Sequence, residues 1–174
     1  MDSDGYLSQL ADIFNGITVN TPSISAIIAI VLAGVLLLAS GFASASEIAF
    51  FSLTPSDRND IDEQNHPSDE KISALLGDSG RLLATILITN NFVNVTIIML
   101  CNFFFMNVFV FHSPLAEFLI LTVILTFLLL LFGEIMPKIY SAQKTLAFCR
   151  FSAPGIYFLE KLFRPIATVL VRST

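Results

Sequence analysis

The 174-residue sequence predicts an all-α integral membrane fold, with three transmembrane helices and a juxtamembrane amphipathic helical segment. Two properties of the composition indicate this class. Hydrophobic residues make up 55% and charged residues only 13% of the chain, and the charged share is about half that of an ordinary soluble domain. The formal net charge of −5 provides no basic surface for phosphates, so nucleic-acid binding is not expected.

Three apolar runs reach the roughly 20 residues that a membrane span needs. The first runs from Ile24 to Leu53, the second from Leu82 to Val110 and the third from Leu115 to Met136. Pro55 closes the first run and Pro137 follows the third, as expected where a helix ends or bends. The sequence therefore divides into an N-terminal segment (1–23), a three-span domain (24–137) with an inner connection (54–80), and a juxtamembrane segment (138–174).

The positive charges predict the orientation of the spans. None of the nine lies in the N-terminal segment or in the short loop 107–113, and all fall within 54–81 or after the third span. The positive-inside rule then puts the N-terminus outside, and the inner connection and the C-terminus in the cytoplasm. The nine are Arg58, Lys71, Arg81, Lys138, Lys144, Arg150, Lys161, Arg164 and Arg172.

The segments on the inner side are expected to be helical. Two short helices are predicted in the inner connection, at Asp57–Gln64 and Ser68–Leu76. Basic residues recur among apolar ones after Pro137, which predicts an amphipathic helix over Thr145–Lys161 on the inner membrane surface. We expect a break or a bend near Pro154–Gly155. The alternative is a cytosolic helix that packs on a domain outside this chain. Such a further domain is expected because the chain ends directly after a helical pattern.

Polar residues inside the first two predicted spans form helical stripes. Ser40, Ser44 and Glu47 follow i, i+4, i+7 spacing and share one face of the first helix. Asn90 and Asn94 share a face of the second. Because a carboxylate at membrane depth costs about 2.5–3.5 kcal/mol on insertion scales, Glu47 needs a partner, a proton or an ion.

The third predicted span holds Glu134 next to Gly133 and ends near Pro137. Proline has no N–H, so we expect the carbonyl of Gly133 to lose its helical donor and to become a candidate ligand beside the Glu134 carboxylate. Hydroxyl, amide, carboxylate and carbonyl oxygens suit Mg²⁺, Ca²⁺ or Na⁺, and no His or Cys belongs to the set.

Helix packing is the alternative explanation for these polar residues, since Ser, Thr and Asn often join membrane helices by hydrogen bonds. Packing is favoured for Thr85, Thr89 and Thr96, and for Ser40 taken alone. Glu47 remains open between a metal ligand, a proton or Na⁺ site, and one half of an ion pair with Lys138.

Three motifs together resemble a known family. They are SGFASASEIAFFSL (40–53), LITNNFVNV (87–95) and FGEIMPK (132–138). In this order and spacing they are similar to the transmembrane domain of the CorC/CNNM (cyclin M-like) magnesium transporters, over essentially the whole chain from about residue 24. The resemblance implies three spans with a juxtamembrane helical segment, a homodimer in the bilayer of the bacterial inner membrane, and a CBS-pair region following in the full-length protein.

The resemblance also implies an activity and a site. The expected activity is Mg²⁺ export driven by Na⁺ entry, with Mg²⁺ held by Ser44, Asn90, Asn94 and Glu134. A backbone carbonyl near Tyr140 completes the family pattern, although relatives often have a small residue there. Glu47 is the candidate for the coupling ion.

One alternative function and one exclusion accompany this expectation. The acidic N-terminal segment is similar to a branch of the family associated with gliding motility, which leaves a non-transporting, Mg²⁺-sensing membrane scaffold open. No enzyme is expected, because the spans hold no His and no pair of nucleophile and base.

Overall fold

The computed structural model describes residues 17–111 and 113–173. The all-α membrane architecture is confirmed: three helices are long and apolar enough to cross a membrane, over Ile24–Phe51, Ser79–Val108 and Glu117–Gln143. In chain order the elements are β1 (Ile17–Val19), α1 (Ile24–Phe51), α2 (Pro55–Asp62), α3 (Asp69–Leu76), α4 (Ser79–Val108), β2 (Phe109–Phe111), α5 (Pro114–Leu119), the π-helical segment π1 (Ile120–Ile124), α6 (Leu125–Leu128), the π-helical segment π2 (Leu129–Ile135), α7 (Met136–Gln143) and α8 (Thr145–Ser173).

Helix α1, the first span, begins at a cap and packs through small residues. The Ser23 hydroxyl accepts the Ala26 N–H at 3.2 Å and so satisfies one of the free donors of the first turn. The buried face carries alanines, serines and Gly41, whereas large apolar side chains such as Leu38 are exposed. Small residues allow close approach of a neighbouring helix in a membrane, which is how α4 comes to pack along α1.

The third span contains two π-helical segments. It begins as α5, passes through π1, α6 and π2, and ends as α7. At the end of π2 the N–H of Met136 donates to the carbonyl of Leu131, five residues back. In that register the missing N–H of Pro137 leaves the carbonyl of Phe132 without its helical donor, rather than that of Gly133. The i, i+4 spacing that predicted a free Gly133 carbonyl therefore does not apply in π2.

The C-terminal end of the second span differs from the sequence-based expectation. The apolar run continues to Val110, but α4 ends at Val108 and the next three residues form β2. Strand β2 pairs antiparallel with β1, and Ile17 faces Phe111 across the pair. Aromatic and β-branched side chains favour extended backbone. The strand pairing also supplies hydrogen-bond partners to backbone groups that would be unpaired at the end of a helix.

The inner connection forms two short helices, as predicted, and packs against α8. Helix α2 starts with a capping box between Thr54 and Asp57. Asp69, at the start of α3, is fully buried and accepts two hydrogen bonds from Arg150 of α8, at 2.8 and 3.0 Å. An apolar cluster that includes Phe50, Ile72 and Ile156 joins the ends of the spans to α3 and α8.

Helix α8 is longer than the sequence predicts. It runs from Thr145 to Ser173 and includes Pro154 and Pro165, so a break near Pro154–Gly155 is wrong, whereas a bend there stays a prediction. The helix packs closely on α1 at this point, because a Cβ placed on Gly155 would lie 3.0 Å from the edge of the Phe42 ring.

Candidate metal centre

The candidate centre forms where the three spans meet, around the hydroxyl of Ser40. This oxygen lies 2.9 Å from Asn90 Oδ1 and 2.6 Å from Asn94 Oδ1. Ser44, one turn further along α1, has its Oγ 3.4 Å from the same Asn90 oxygen. Both serine side chains are fully buried. The i, i+4 spacing on α1 and on α4 thus aligns two polar pairs face to face.

The two serine hydroxyls can serve both amide oxygens at once. Each hydroxyl carries one proton, so Ser40 can donate to Asn94 at 2.6 Å while Ser44 donates to Asn90 at 3.4 Å. The second contact is long for a hydrogen bond from a hydroxyl, and each amide oxygen has a second lone pair. Both amide oxygens are therefore also available as ligands for a cation.

Glu134 brings the negative charge to this group from π2. Its Oε1 lies 3.5 Å from the Asn94 side-chain nitrogen. The neighbouring Gly133 is buried, and a Cβ placed there would lie 3.1 Å from Ser40 Oγ. The absence of a side chain at Gly133 lets the third span approach α1 closely enough for Glu134 to reach the amides.

The chemistry of these donors fits a hard cation. Within 17–111 and 113–173, no three His, Cys, Asp or Glu side chains group together as a metal site. The centre instead combines one carboxylate with neutral hydroxyl and amide oxygens. Oxygen ligands of this kind suit Mg²⁺, Ca²⁺ or Na⁺ and disfavour Zn²⁺ or Cu⁺.

Four of the predicted ligands have side chains that lie in one connected group. Ser44, Asn90, Asn94 and Glu134 are joined through the contacts above. The roles proposed for the Gly133 and Tyr140 carbonyls stay predictions. The Tyr140 side chain itself is exposed and lines an apolar cavity.

Ser40 is the member of the centre that the sequence reasoning did not select. Its spacing placed it on the same face as Ser44, but helix packing was the favoured explanation for it. The structure puts Ser40 between both asparagines, which only the relative rotation of α1 and α4 decides. The threonine stripe differs, since Thr89 and Thr96 donate to carbonyls of their own helix at 2.8 Å.

Glu47 forms an ion pair near the C-terminal end of α1, one turn beyond Ser44. Its Oε2 lies 2.9 Å from Lys138 Nζ, and both side chains are partly exposed. Next to it, Ser141 Oγ donates to the Ala45 carbonyl at 2.6 Å. Of the alternatives open for Glu47, the ion pair is the one present in the structure. These two contacts fix α7 against α1 directly after Pro137.

Comparison with known proteins supports the same class of membrane domain. The family model described as the cyclin M transmembrane N-terminal domain matches residues 28–174. The chain is 26% identical over 140 residues to UPF0053 protein sll1254 of Synechocystis, covering 80% of this chain and 39% of that protein. It is 31% identical over 134 residues to a UPF0053 protein of Haemophilus influenzae, covering 77% and 31%.

The chain spans well under half the length of these two relatives. The matched region nevertheless includes the first span from residue 28 onward, the other two spans and α8. The three motifs that carried the resemblance lie within it, and the polar side chains of the candidate centre belong to those motifs. The chain belongs to the CorC/CNNM family, whose transmembrane domain is generally linked to Mg²⁺ transport.

Proposed function

We propose that this chain is the transmembrane domain of a Mg²⁺ exporter driven by Na⁺ entry. In this proposal a dehydrated Mg²⁺ binds among Ser44, Asn90, Asn94 and Glu134. The observation that supports it most directly is the contact of the Asn90 and Asn94 amide oxygens with two serine hydroxyls beside the Glu134 carboxylate. This arrangement groups neutral oxygens, each amide oxygen with a further lone pair, next to one negative charge, where a divalent cation would be stabilised.

Each side chain has a distinct part in binding. Mg²⁺ prefers six oxygens at about 2.1 Å and gives up its water reluctantly. Glu134 supplies negative charge, and the two amides and the Ser44 hydroxyl supply dipoles that replace water. Ligation by the amide oxygens competes with the hydrogen bonds that they accept from Ser40 and Ser44, so ion binding exchanges hydrogen bonds between spans for ligation.

The third span offers a place for the movement that transport requires. π-Helical turns inside α-helices often occur at functional sites, and π2 carries Glu134 directly. Release to the outer side then involves a shift of π2 relative to α1 and α4. Glu47 is the candidate for Na⁺ coupling, because its ion pair with Lys138 joins the first span to the third.

The surrounding assembly is part of the proposal. The functional unit is a homodimer in the bacterial inner membrane, with the N-terminus outside and the C-terminus in the cytoplasm. The positive charges on one side of the spans support that orientation. A CBS-pair region following α8 is proposed because the relatives extend well beyond the matched segment.

Flux in proteoliposomes tests this function. We expect Mg²⁺ transport by the purified protein to increase with an opposing Na⁺ gradient, and to be lost in Asn94→Ala. The neighbouring Asn91 is exposed on the same helix, so Asn91→Ala is the matched control and should transport normally. Binding of Mg²⁺ without any flux would contradict the exporter and would support the non-transporting, Mg²⁺-sensing scaffold.

A further inference from the structure

An apolar cavity of about 430 Å³ lies beside the candidate metal centre, on the surface between α1, the third span and α8. Its walls carry Leu38 of α1, Phe132 of π2 and Phe151 of α8, all of which are exposed. The volume is in the range of small-molecule sites. At the depth of the membrane spans, the apolar groups that surround a protein are the hydrocarbon chains of lipids.

The length and direction of the cavity match one leaflet of a bilayer. Its lining on α1 runs from Leu37 to Ala45, which is about 12 Å along the helix axis. One leaflet contributes about 15 Å of hydrocarbon. Leu37 lies near the middle of Ile24–Phe51 and Ala45 lies nearer its end, so the cavity runs from the middle of the membrane toward α7 and α8.

A second, smaller cavity continues the first toward a positive charge. It has a volume of about 280 Å³ and shares Tyr140, Phe148 and Phe151 with the larger one. Lys144, in the turn between α7 and α8, lines it and is exposed. Among the side chains that the structure describes, Lys144 has no ion-pair partner, whereas Lys138 and Arg150 are each paired.

We propose that these two cavities form one binding site for an anionic phospholipid. One acyl chain fills the larger cavity, and the phosphate contacts Lys144 at the membrane surface. Basic residues between spans at the membrane surface are a recurring way to bind anionic headgroups. The site stands apart from the proposed function, since none of its side chains is a proposed Mg²⁺ ligand and binding requires no transport.

The position of the cavity gives the lipid a contact with the metal centre through the backbone. A Cβ placed on Gly41, in the cavity wall, would lie 3.0 Å from Pro137 Cγ and 3.4 Å from the Phe132 carbonyl. Ser40 precedes Gly41 and Gly133 follows Phe132. A bound acyl chain therefore packs on the same crossing of α1 and the third span that positions Ser40 and Glu134.

Native mass spectrometry of the purified chain with added phosphatidylglycerol or phosphatidylcholine tests the charge contact. We expect phosphatidylglycerol to bind more tightly, and Lys144→Glu to weaken it roughly tenfold. Lys161→Glu, an exposed lysine of α8 away from both cavities, is the matched control and should leave binding unchanged. Equal binding of both lipids, or equal effects of both variants, overturns the proposal.

Two phenylalanines of α8 provide a matched pair of variants that tests the contact with the acyl chain. Phe151 and Phe158 lie two helical turns apart on α8 and are 69% and 65% exposed, but only Phe151 lines the cavities. We expect Phe151→Asp to reduce retention of both lipids and Phe158→Asp to have no such effect. A photoreactive acyl chain on phosphatidylglycerol tests the unmodified protein, and cross-links should map to Leu38, Phe132 or Phe151. Cross-links to a second copy of the chain at these residues instead would show that protein covers the cavity, and would overturn the proposal.

Discussion

Ser40 of the first span and Asn94 of the second are joined by a contact of 2.6 Å between hydroxyl and amide oxygen. The same hydroxyl lies 2.9 Å from the Asn90 oxygen, which is also 3.4 Å from the Ser44 hydroxyl, and Glu134 approaches this group from the third span. Any ion that replaces the serine protons as the partner of the amides must rearrange contacts between all three spans. Binding and movement are therefore linked at one group of side chains.

Glu134→Gln should abolish stabilisation of the purified protein by Mg²⁺, because it removes the negative charge among the neutral oxygens. A ligand at one hundred times its dissociation constant adds about 2.7 kcal/mol to stability, and this is the scale of the shift expected for the unmodified chain. Thermal unfolding with and without Mg²⁺ measures it. Glu117→Gln changes the other carboxylate of the same span and should retain the shift. A full shift in Glu134→Gln would contradict the assignment.

Gly41→Ala should destabilise the protein, while Gly34→Ala on the same helix should not. An added Cβ at Gly41 meets Pro137 Cγ at 3.0 Å, whereas at Gly34 it meets nothing within 4 Å. Neither the proline ring nor the Phe132 carbonyl can move aside easily, so overpacking by about 1–3 kcal/mol is expected. Unfolding temperatures of the two variants provide the comparison. Equal values would show that α1 and the third span are not tightly packed at Gly41.

Glu47→Gln should alter the Na⁺ dependence of Mg²⁺ flux more than the affinity for Mg²⁺. The change leaves Lys138 without its partner at 2.9 Å but removes none of the proposed Mg²⁺ ligands. A double-mutant cycle with Lys138→Met measures the coupling between the pair, which for partly exposed partners should be about 1 kcal/mol. If Mg²⁺ affinity falls while the Na⁺ dependence is unchanged, Glu47 belongs to the Mg²⁺ site instead.

Asp69→Asn should detach α3 from α8 and flatten the response of stability to acid. Burial opposes ionisation of Asp69, but the Arg150 guanidinium and the His66 N–H stabilise the carboxylate more and hold the pKa of Asp69 below its usual value. A lowered pKa means that the stabilisation is complete above about pH 4 and is lost as the pH falls through the lowered value. Removing one partner of such a buried pair costs about 3 kcal/mol.

Unfolding temperatures between pH 3 and pH 7 measure this effect, with the exposed neighbour Glu70→Gln as the control. Cys149 gives a local readout, because it is fully buried next to Arg150 and burial raises the pKa of its thiol to about 12. Maleimide should label Cys149 slowly in the unmodified protein and faster in Asp69→Asn. Identical acid profiles for both variants would mean that the pair does not hold α8 in place.

Local sequence features predicted the outline of the fold because each acts within one helix. Apolar length gave the three spans, confirmed over Ile24–Phe51, Ser79–Val108 and Glu117–Gln143. Two expectations failed where tertiary contacts override local preference. The end of the second apolar run became β2, which pairs with β1, and α8 continues through Pro154, where the helix packs closely against Phe42.

The sequence by itself determined which residues are available for a cation site. The i, i+4 spacing of Ser40 with Ser44, and of Asn90 with Asn94, follows from helix geometry alone and puts each pair on one face. Only the tertiary structure decided that these faces oppose each other, that Ser40 lies between both asparagines, and that Glu47 pairs with Lys138. Helix rotation, the π register of the third span and the close approach at Gly133 set those relationships, and they depend on packing between spans that no single helix encodes.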